Sequence, residues 1–335
     1  MPKRVIIVGG GYAGVSLARA LDEAFDVVLI ERKDRFFHNI AAMRAYVEPA
    51  LFARLLIPYD RLLRRGRVIC EEVVSAVPGG VTMSSGDRLE CDSVIVATGS
   101  RHAMPFKSPY RDSSEFLTEA RALSERLIAA PGVVIVGEGP VGVELAGELS
   151  WRFPEKRLRL AGSSERLIPS AENPALGSRL ARILRKRGVE IVLGRRVTDD
   201  AFGGDLVIQA YGGQTSVPCL GAPRRVAVDG HFRVNGADGV FAVGDAADCG
   251  EPQLTFLAQR QASYLARYLK ADGRMPVYQP EKRIAMSVPL GPREGATQTP
   301  LPGLPLVGGW LTSMIKGRDL FISKNWVALG QTPPR

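Results

Sequence analysis

The chain has 335 residues, 45% of them hydrophobic, enough for two or three domains with filled cores. Its formal charge of +9 comes from 44 basic and 35 acidic residues, scattered rather than blocked, as on a solvated surface with a secondary attraction for phosphates or anionic lipid. The four cysteines, Cys70, Cys91, Cys219 and Cys249, form no C-x-x-C and join no His/Cys cluster, so no metal site is expected and a reducing compartment fits. No apolar run reaches the ~18 residues of a membrane-spanning helix. A first strand at residue 4 or 5 leaves no room for a signal peptide, and Pro2 stands where N-myristoylation needs glycine. A soluble cytoplasmic protein is expected.

Val5-Ile6-Ile7-Val8 is a short run of β-formers that enters Gly9-Gly10-Gly11-Tyr12-Ala13-Gly14, a G-x-G-x-x-G. Gly14, Leu17, Ala18 and Leu21 then recur at the spacing of one buried helix face. In this strand–turn–helix context the glycines let the backbone approach a pyrophosphate, and the helix N-terminus offers unpaired N–H groups. Val27-Val28-Leu29-Ile30 reads as the second parallel strand. It ends in Glu31, 20 residues after Gly11, where an acid accepts hydrogen bonds from ribose hydroxyls.

Residues 40–45 suit a short helix. Residues 67–96 alternate and carry Pro78-Gly79-Gly80 and Ser85-Gly86-Asp87 turns, as a small antiparallel insertion would. Val94-Ile95-Val96 is another buried strand, ending in Ala97-Thr98-Gly99. After a helix over 115–129 the opening pattern returns: Val133-Val134-Ile135-Val136 runs into Gly137-Glu138-Gly139-Pro140-Val141-Gly142, about 128 residues after the first turn. A strand over 158–160, a helix over 176–187 and a strand over 189–193 continue the alternation. A third unit, Val240-Phe241-Ala242-Val243, ends in Gly244-Asp245 and is followed by a helix over 256–269. Its carboxylate is aimed from a strand C-terminus, where doubly wound sheets bind ligands. Beyond Pro276 the chain is Pro- and Gly-rich, then apolar over 304–315. Two complete glycine units predict two nucleotide sites.

The motif order G-x-G-x-x-G, A-T-G, G-x-G-x-x-G, G-D resembles the two-dinucleotide-binding-domain flavoproteins over nearly the whole chain. The closer similarity is to the apoptosis-inducing-factor-like group that includes the ferroptosis suppressor proteins. It is carried by Phe36-Phe37-His38-Asn39 through Ala45, by Val143-Glu144-Leu145-Ala146-Gly147-Glu148, and by the tail Lys316-Gly317-Arg318-Asp319-Leu320-Phe321 through Trp326 and Pro333-Pro334. The resemblance implies an α/β fold of two Rossmann-like dinucleotide-binding domains. An FAD domain (1–104 and 232–275) holds an inserted NAD(P)H domain (105–231), and a small C-terminal segment (276–335) lies near the flavin and acceptor. FAD is then held by Gly9, Gly11, Gly14, Glu31, Thr98, Gly99, Gly244 and Asp245, and NADH or NADPH by Gly137, Gly139 and Gly142. Glu144 falls near the nicotinamide; Lys316, Phe321 and His38 fall near the flavin ring and the acceptor. The implied activity is NAD(P)H:quinone oxidoreductase, with a hydride passing from NAD(P)H to flavin and two electrons onward to a quinone-type acceptor.

The chain departs from the family in two places. The segment 198–235 is short, with Ala210-Tyr211-Gly212-Gly213 in place of a longer hairpin and a C-T-G-like turn. The residue after Leu158-Arg159-Leu160-Ala161 is Gly162, not the acid that favours NADH by binding the 2′-hydroxyl. With Ser163, Ser164 and Arg166 nearby, a 2′-phosphate is tolerated or preferred; Arg166 is either a cofactor contact or an ordinary surface arginine.

Residues 36–55 contain no cysteine, so the redox pair that disulfide reductases of this superfamily place beside the flavin is missing. Electrons must pass straight to a diffusible acceptor, and a quinone fits as a flat, apolar one. The helix starting near Leu254-Thr255-Phe256 presents its positive end toward reduced flavin. Phe256, Phe321 and Trp326 shape an acceptor pocket or pack the core, and His38 by spacing alone is a structural histidine in a turn. Two other readings stay open: a reductase of another partner (ferredoxin or a pathway metabolite) and a basic DNA-binding flavoprotein. The two intact glycine turns argue against a purely structural role. No nucleic-acid partner is expected, peripheral membrane contact is admitted, and the oligomeric state is not set by sequence.

Overall fold

The computed structural model describes residues 2–102, 104–195, 205–211, 213–301 and 304–334. Its main parallel strands are, in chain order, β1 (Arg4–Val8), β2 (Asp26–Glu31), β3 (Arg67–Cys70), β4 (Ser93–Val96), β5 (Gly132–Val136), β6 (Arg157–Ala161), β7 (Glu190–Val192), β8 (Leu206–Gln209) and β9 (Val240–Ala242). They form two sheets, ordered β9-β4-β1-β2-β3 and β7-β6-β5-β8. The central strands β1 and β5 are almost wholly Val and Ile because each is covered on both faces. The chain leaves the first sheet after β4, builds the whole second sheet, and returns at β9 beside β4. The α/β class and the insertion of one doubly wound unit within another follow from that order.

Helices α1 (Tyr12–Leu21), α2 (Ser113–Ala129), α3 (Pro140–Arg152), α4 (Pro174–Lys186) and α5 (Thr255–Lys270) flank the sheets. Asp112 caps α2 through the Ser114 and Glu115 N–H groups, and Asn173 caps α4 through Ala175 N–H. Both starts lie two residues ahead of the sequence-based expectation, because a cap and first turn carry no apolar period.

One expectation is corrected. Arg67–Cys70 does not open an antiparallel insertion; it pairs in parallel with β2 as the edge of the first sheet. The antiparallel piece is confined to Val73–Val77, Gly80–Met83 and Arg88–Glu90. Four residues with exposed ends read alike as a hairpin strand or a sheet edge. Residues 198–204 and Gly212 of the segment that departs from the family lie outside the described residues. Beyond them β8 pairs in parallel with β5, and Val217, Cys219 and Val226 are buried with the first sheet's core. The chain thus packs against the first core before residue 232, where sequence placed its return.

The second core is shared by three parts of the chain. Ala42, Tyr46 and Phe52 from the first unit and Val288, Leu290 and Leu320 from the C-terminal segment are buried in the same cluster as β5 and α3. Contact is close: a Cβ on Gly147 of α3 would fall 2.6 Å from the Leu290 backbone. The C-terminal segment is a three-stranded antiparallel sheet (Met286–Pro289, Gly295–Gln298, Leu306–Val307), followed by a helical turn, a π-helical turn over Ser313–Gly317 and a helix over Ile322–Ala328. Among the described residues no helix is long and apolar enough to cross a membrane.

Candidate active site

The two glycine turns are the same device built twice. Gly9 and Gly137 have φ of +106° and +134°, and an added Cβ would meet the Ala97 and Ala210 carbonyl oxygens at 2.6 and 2.7 Å. A Cβ on Gly14 would lie 1.9 Å from Gly9 O, and one on Gly142 would lie 2.0 Å from Gly137 O. These four glycines are required by packing of turn on helix and strand. Gly11 and Gly139 differ, because nothing lies within 4 Å of the Cβ each lacks. Each precedes a helix with no side-chain cap, so the first N–H groups of α1 and α3 remain free for an anion. An open backbone cradle at an uncapped helix start fits a dinucleotide pyrophosphate.

From the first turn a cleft of about 620 Å³ runs to the second unit. Gly9, Gly11, Glu31, Thr98, Gly99, Gly244 and Asp245 line it. Glu144 of α3 and Lys316 of the tail line it as well. Glu31 accepts from Gly10 N–H at 2.6 Å and from Lys33 N–H at 3.1 Å. Asp245 accepts from Ser100 Oγ at 2.5 Å, with Lys107 Nζ 3.6 Å away. Gly244, at φ +67°, donates its N–H to Gln261 Oε1 at 2.8 Å. Leu254 and Thr255 also line the cleft, so α5 turns its uncapped positive end toward it.

Two ion pairs meet α3 one helical turn apart, and of their four residues Glu144 and Lys316 line the cleft. Lys316 Nζ lies 2.6 Å from Glu144 Oε1, both side chains mostly buried. Arg44 grips Glu148 through Nε at 3.1 Å and a terminal nitrogen at 2.8 Å, and its other terminal nitrogen donates to Gly317 O at 2.6 Å. Burial pushes both carboxyls above the ordinary glutamate range, against the pull of Lys316 on Glu144 and of Arg44 on Glu148. Lys316 sits in the π-helical turn, a distortion frequent at functional sites.

Other residues expected at the site lie elsewhere. Gly14, Gly137, Gly139 and Gly142 shape the turns without lining the cleft. His38 is fully buried: its Nε2 is 2.7 Å from Leu320 O and its Nδ1 is 2.9 Å from Tyr12 Oη. A carbonyl only accepts, so Nε2 carries the proton and Nδ1 accepts from the Tyr12 hydroxyl. Burial lowers the His38 pKa to about 4, so the ring is neutral. Phe321 also lies off the cleft, at φ +61° directly after Leu320 at +49°, with Lys324 Nζ 5.9 Å from its ring. Arg166 donates to Pro169 O and Ala171 O at 3.0 and 3.3 Å. Trp326 is half-buried and donates to Arg54 O, while Phe256 is exposed.

Sequence reasoning missed Tyr12, Lys33, Lys107 and the Arg44–Glu148 pair. Lys33 and Lys107 line the cleft; burial depresses Lys33 to about 8 and moves Lys107 in the same direction. Lys33 stands two residues past the strand-end acid, a signal available in sequence; the others depend on packing.

The chain from residue 3 to residue 262 matches the family model described as pyridine nucleotide-disulphide oxidoreductase. The chain belongs to this family. As a pyridine nucleotide-disulphide oxidoreductase it is an FAD-dependent NAD(P)H oxidoreductase. It is similar to Apoptosis-inducing factor homolog B of Dictyostelium discoideum, 29% identical over a gapped alignment of 382 positions that covers 99% of this chain and 98% of that one. It is also similar to Ferroptosis suppressor protein 1 of Xenopus tropicalis, 29% identical over a gapped alignment of 371 positions that covers 99% of this chain and 97% of that one. The sulfide:quinone oxidoreductase of Aquifex aeolicus shares the fold with a TM-score of 0.77 at 18% identity, covering 99% of this chain and 93% of that one. The dithiol of the family name has no counterpart here. All four cysteines are free, and Cys219, which lines the cleft without a second cysteine among the described residues, has its thiol pushed up to about 11 by burial.

Proposed function

We propose that the protein is an NAD(P)H:quinone oxidoreductase, with FAD along the cleft from the Gly9 turn and the pyridine nucleotide on the Gly137 turn. The observation that carries this reading is a single cleft joining the first glycine turn to the Glu144–Lys316 pair on the helix opened by the second turn, with no dithiol along it. Gly9, Gly11 and the α1 N-terminus would cradle the FAD pyrophosphate, with Glu31 at its ribose and Thr98, Gly99, Gly244 and Asp245 along its length. Gly14 keeps that turn closed. Gly137, Gly139 and Gly142 do the same for NAD(P)H. Bound FAD supplies the two-electron carrier between nicotinamide and acceptor.

Glu144 orients the nicotinamide amide, and Lys316 offers its ammonium to a quinone oxygen as negative charge develops there. The pair lowers the cost of burying either charge alone. His38 acts as a positioning residue: it holds Tyr12 at the first turn and the Leu320 carbonyl beside Phe321. Trp310 and Met314 stand 74% and 63% exposed near Lys316, and we assign them to peripheral contact with the lipid surface from which a quinone is drawn.

Anaerobic stopped-flow reduction by NADH and by NADPH, followed by reoxidation with a quinone panel and with ferredoxin, tests the reading. Either nucleotide should bleach the flavin band, and quinones should restore it fastest. Lys316→Met should slow reoxidation by quinone at least about tenfold with flavin content unchanged. Failure of both nucleotides to bleach the band removes the reading, and preferential reoxidation by ferredoxin removes the acceptor.

A further inference from the structure

The second glycine turn carries a carboxylate where the first carries none. Gly9 N–H donates to Ile30 O at 2.8 Å, and Gly137 N–H donates to Ala161 O at 2.7 Å. In this register Glu31 of the first unit corresponds to Gly162 of the second, and Gly10 corresponds to Glu138. The first unit takes its acid from the strand end and its glycine from the turn; the second exchanges the two.

The exchange is spatial as well as sequential. A Cβ on Gly162 would fall 2.1 Å from Glu138 Oε2, so the Glu138 side chain fills the space a strand-end side chain would occupy. Both carboxylates meet the same backbone group. Glu31 Oε1 accepts from Lys33 N–H, two residues past the strand end, at 3.1 Å. Glu138 Oε1 accepts from Ser164 N–H, two residues past the equivalent end, at 3.1 Å.

We infer that Glu138 is the residue that selects the pyridine nucleotide, by placing the ribose-binding carboxylate from inside the turn and so favouring NADH over NADPH. This rests on the reading of the Gly137 turn as the NAD(P)H site. A carboxylate there accepts hydrogen bonds from ribose hydroxyls. Toward a 2′-phosphate it presents like charge, and the half-buried position limits screening by solvent. The nearby groups do not offset this. The Ser164 hydroxyl is itself donated to Glu138, and a terminal nitrogen of Arg166 is held by the Pro169 and Ala171 carbonyls. The acid missing from the strand end is thus present one strand away, and the openness to 2′-phosphate suggested by Gly162 is reversed.

Titration calorimetry of the purified flavoprotein with NAD⁺, NADP⁺, ADP-ribose and 2′-phospho-ADP-ribose tests this without turnover. The unphosphorylated ligands should bind at least about tenfold tighter. Glu138→Gln, which keeps shape and removes charge, should shrink that ratio at least about tenfold, chiefly by tighter binding of the phosphorylated pair. The exchange Glu138→Gly with Gly162→Glu rebuilds the first unit's arrangement and should restore the preference. Equal affinities in the unaltered protein, or an unchanged ratio in Glu138→Gln, overturn the inference while leaving the turn a nucleotide site. Binding of neither pair removes the nucleotide reading of the turn, and the inference with it.

Discussion

Replacing Glu148 by alanine leaves a guanidinium buried without its counter-ion. The Arg44 and Glu148 side chains are 5% and 3% exposed, so water cannot replace what is removed. Arg44 would lose its bonds at 2.8 and 3.1 Å and keep Gly317 O at 2.6 Å, with the Trp151 ring 5.9 Å away. Breaking a buried pair from one side costs about 3–5 kcal/mol. Replacing both partners by apolar side chains, as in Arg44→Met with Glu148→Leu, should be far milder, because no charge is left uncompensated. Urea unfolding at 25 °C, followed by tryptophan fluorescence, measures both. The double variant also frees Gly317 O, next to Lys316, so it should stay folded yet reduce quinone slowly. A loss below about 1 kcal/mol for Glu148→Ala, or a double variant worse than the single one, refutes the reasoning.

His38 makes stability depend on pH. Its folded pKa of about 4 lies below the ordinary 6.5, so the unfolded chain binds the proton more readily and stability falls as pH drops between those values. The full loss is about 3 kcal/mol, and a His38→Gln variant should show a flatter pH profile in the same unfolding assay. The glycines separate packing from ligand binding. Gly14→Ala forces a Cβ to 1.9 Å from Gly9 O and should destabilise the apoprotein. Gly11→Ala meets no neighbour and should leave apoprotein stability within about 0.5 kcal/mol while flavin content in the purified protein falls. Trp310→Ser with Met314→Ser should lower co-sedimentation with anionic vesicles; equal sedimentation refutes the lipid-facing assignment.

Much of the fold was legible because its signals are local. In each unit the strand, the glycine turn and the helix close on themselves within about twenty residues, and glycines such as Gly14 and Gly142 are demanded by backbone atoms a few positions away. The missing dithiol was equally legible, since residues 36–55 contain no cysteine and no folding changes that. Arg67–Cys70 was misread because a four-residue run does not reveal its partner.

What only the tertiary structure decided are the meetings between segments that sequence keeps far apart. Glu144 and Lys316 are 172 residues apart, Arg44 and Glu148 104, and His38 and Leu320 282. Each meeting exists because the shared core seats α3, the 41–56 segment and the tail on one another. The exchange of Glu138 for a strand-end acid belongs to the same class. Spacing along the chain records an absence at residue 162, and only the packing of turn against strand shows the carboxylate that fills it.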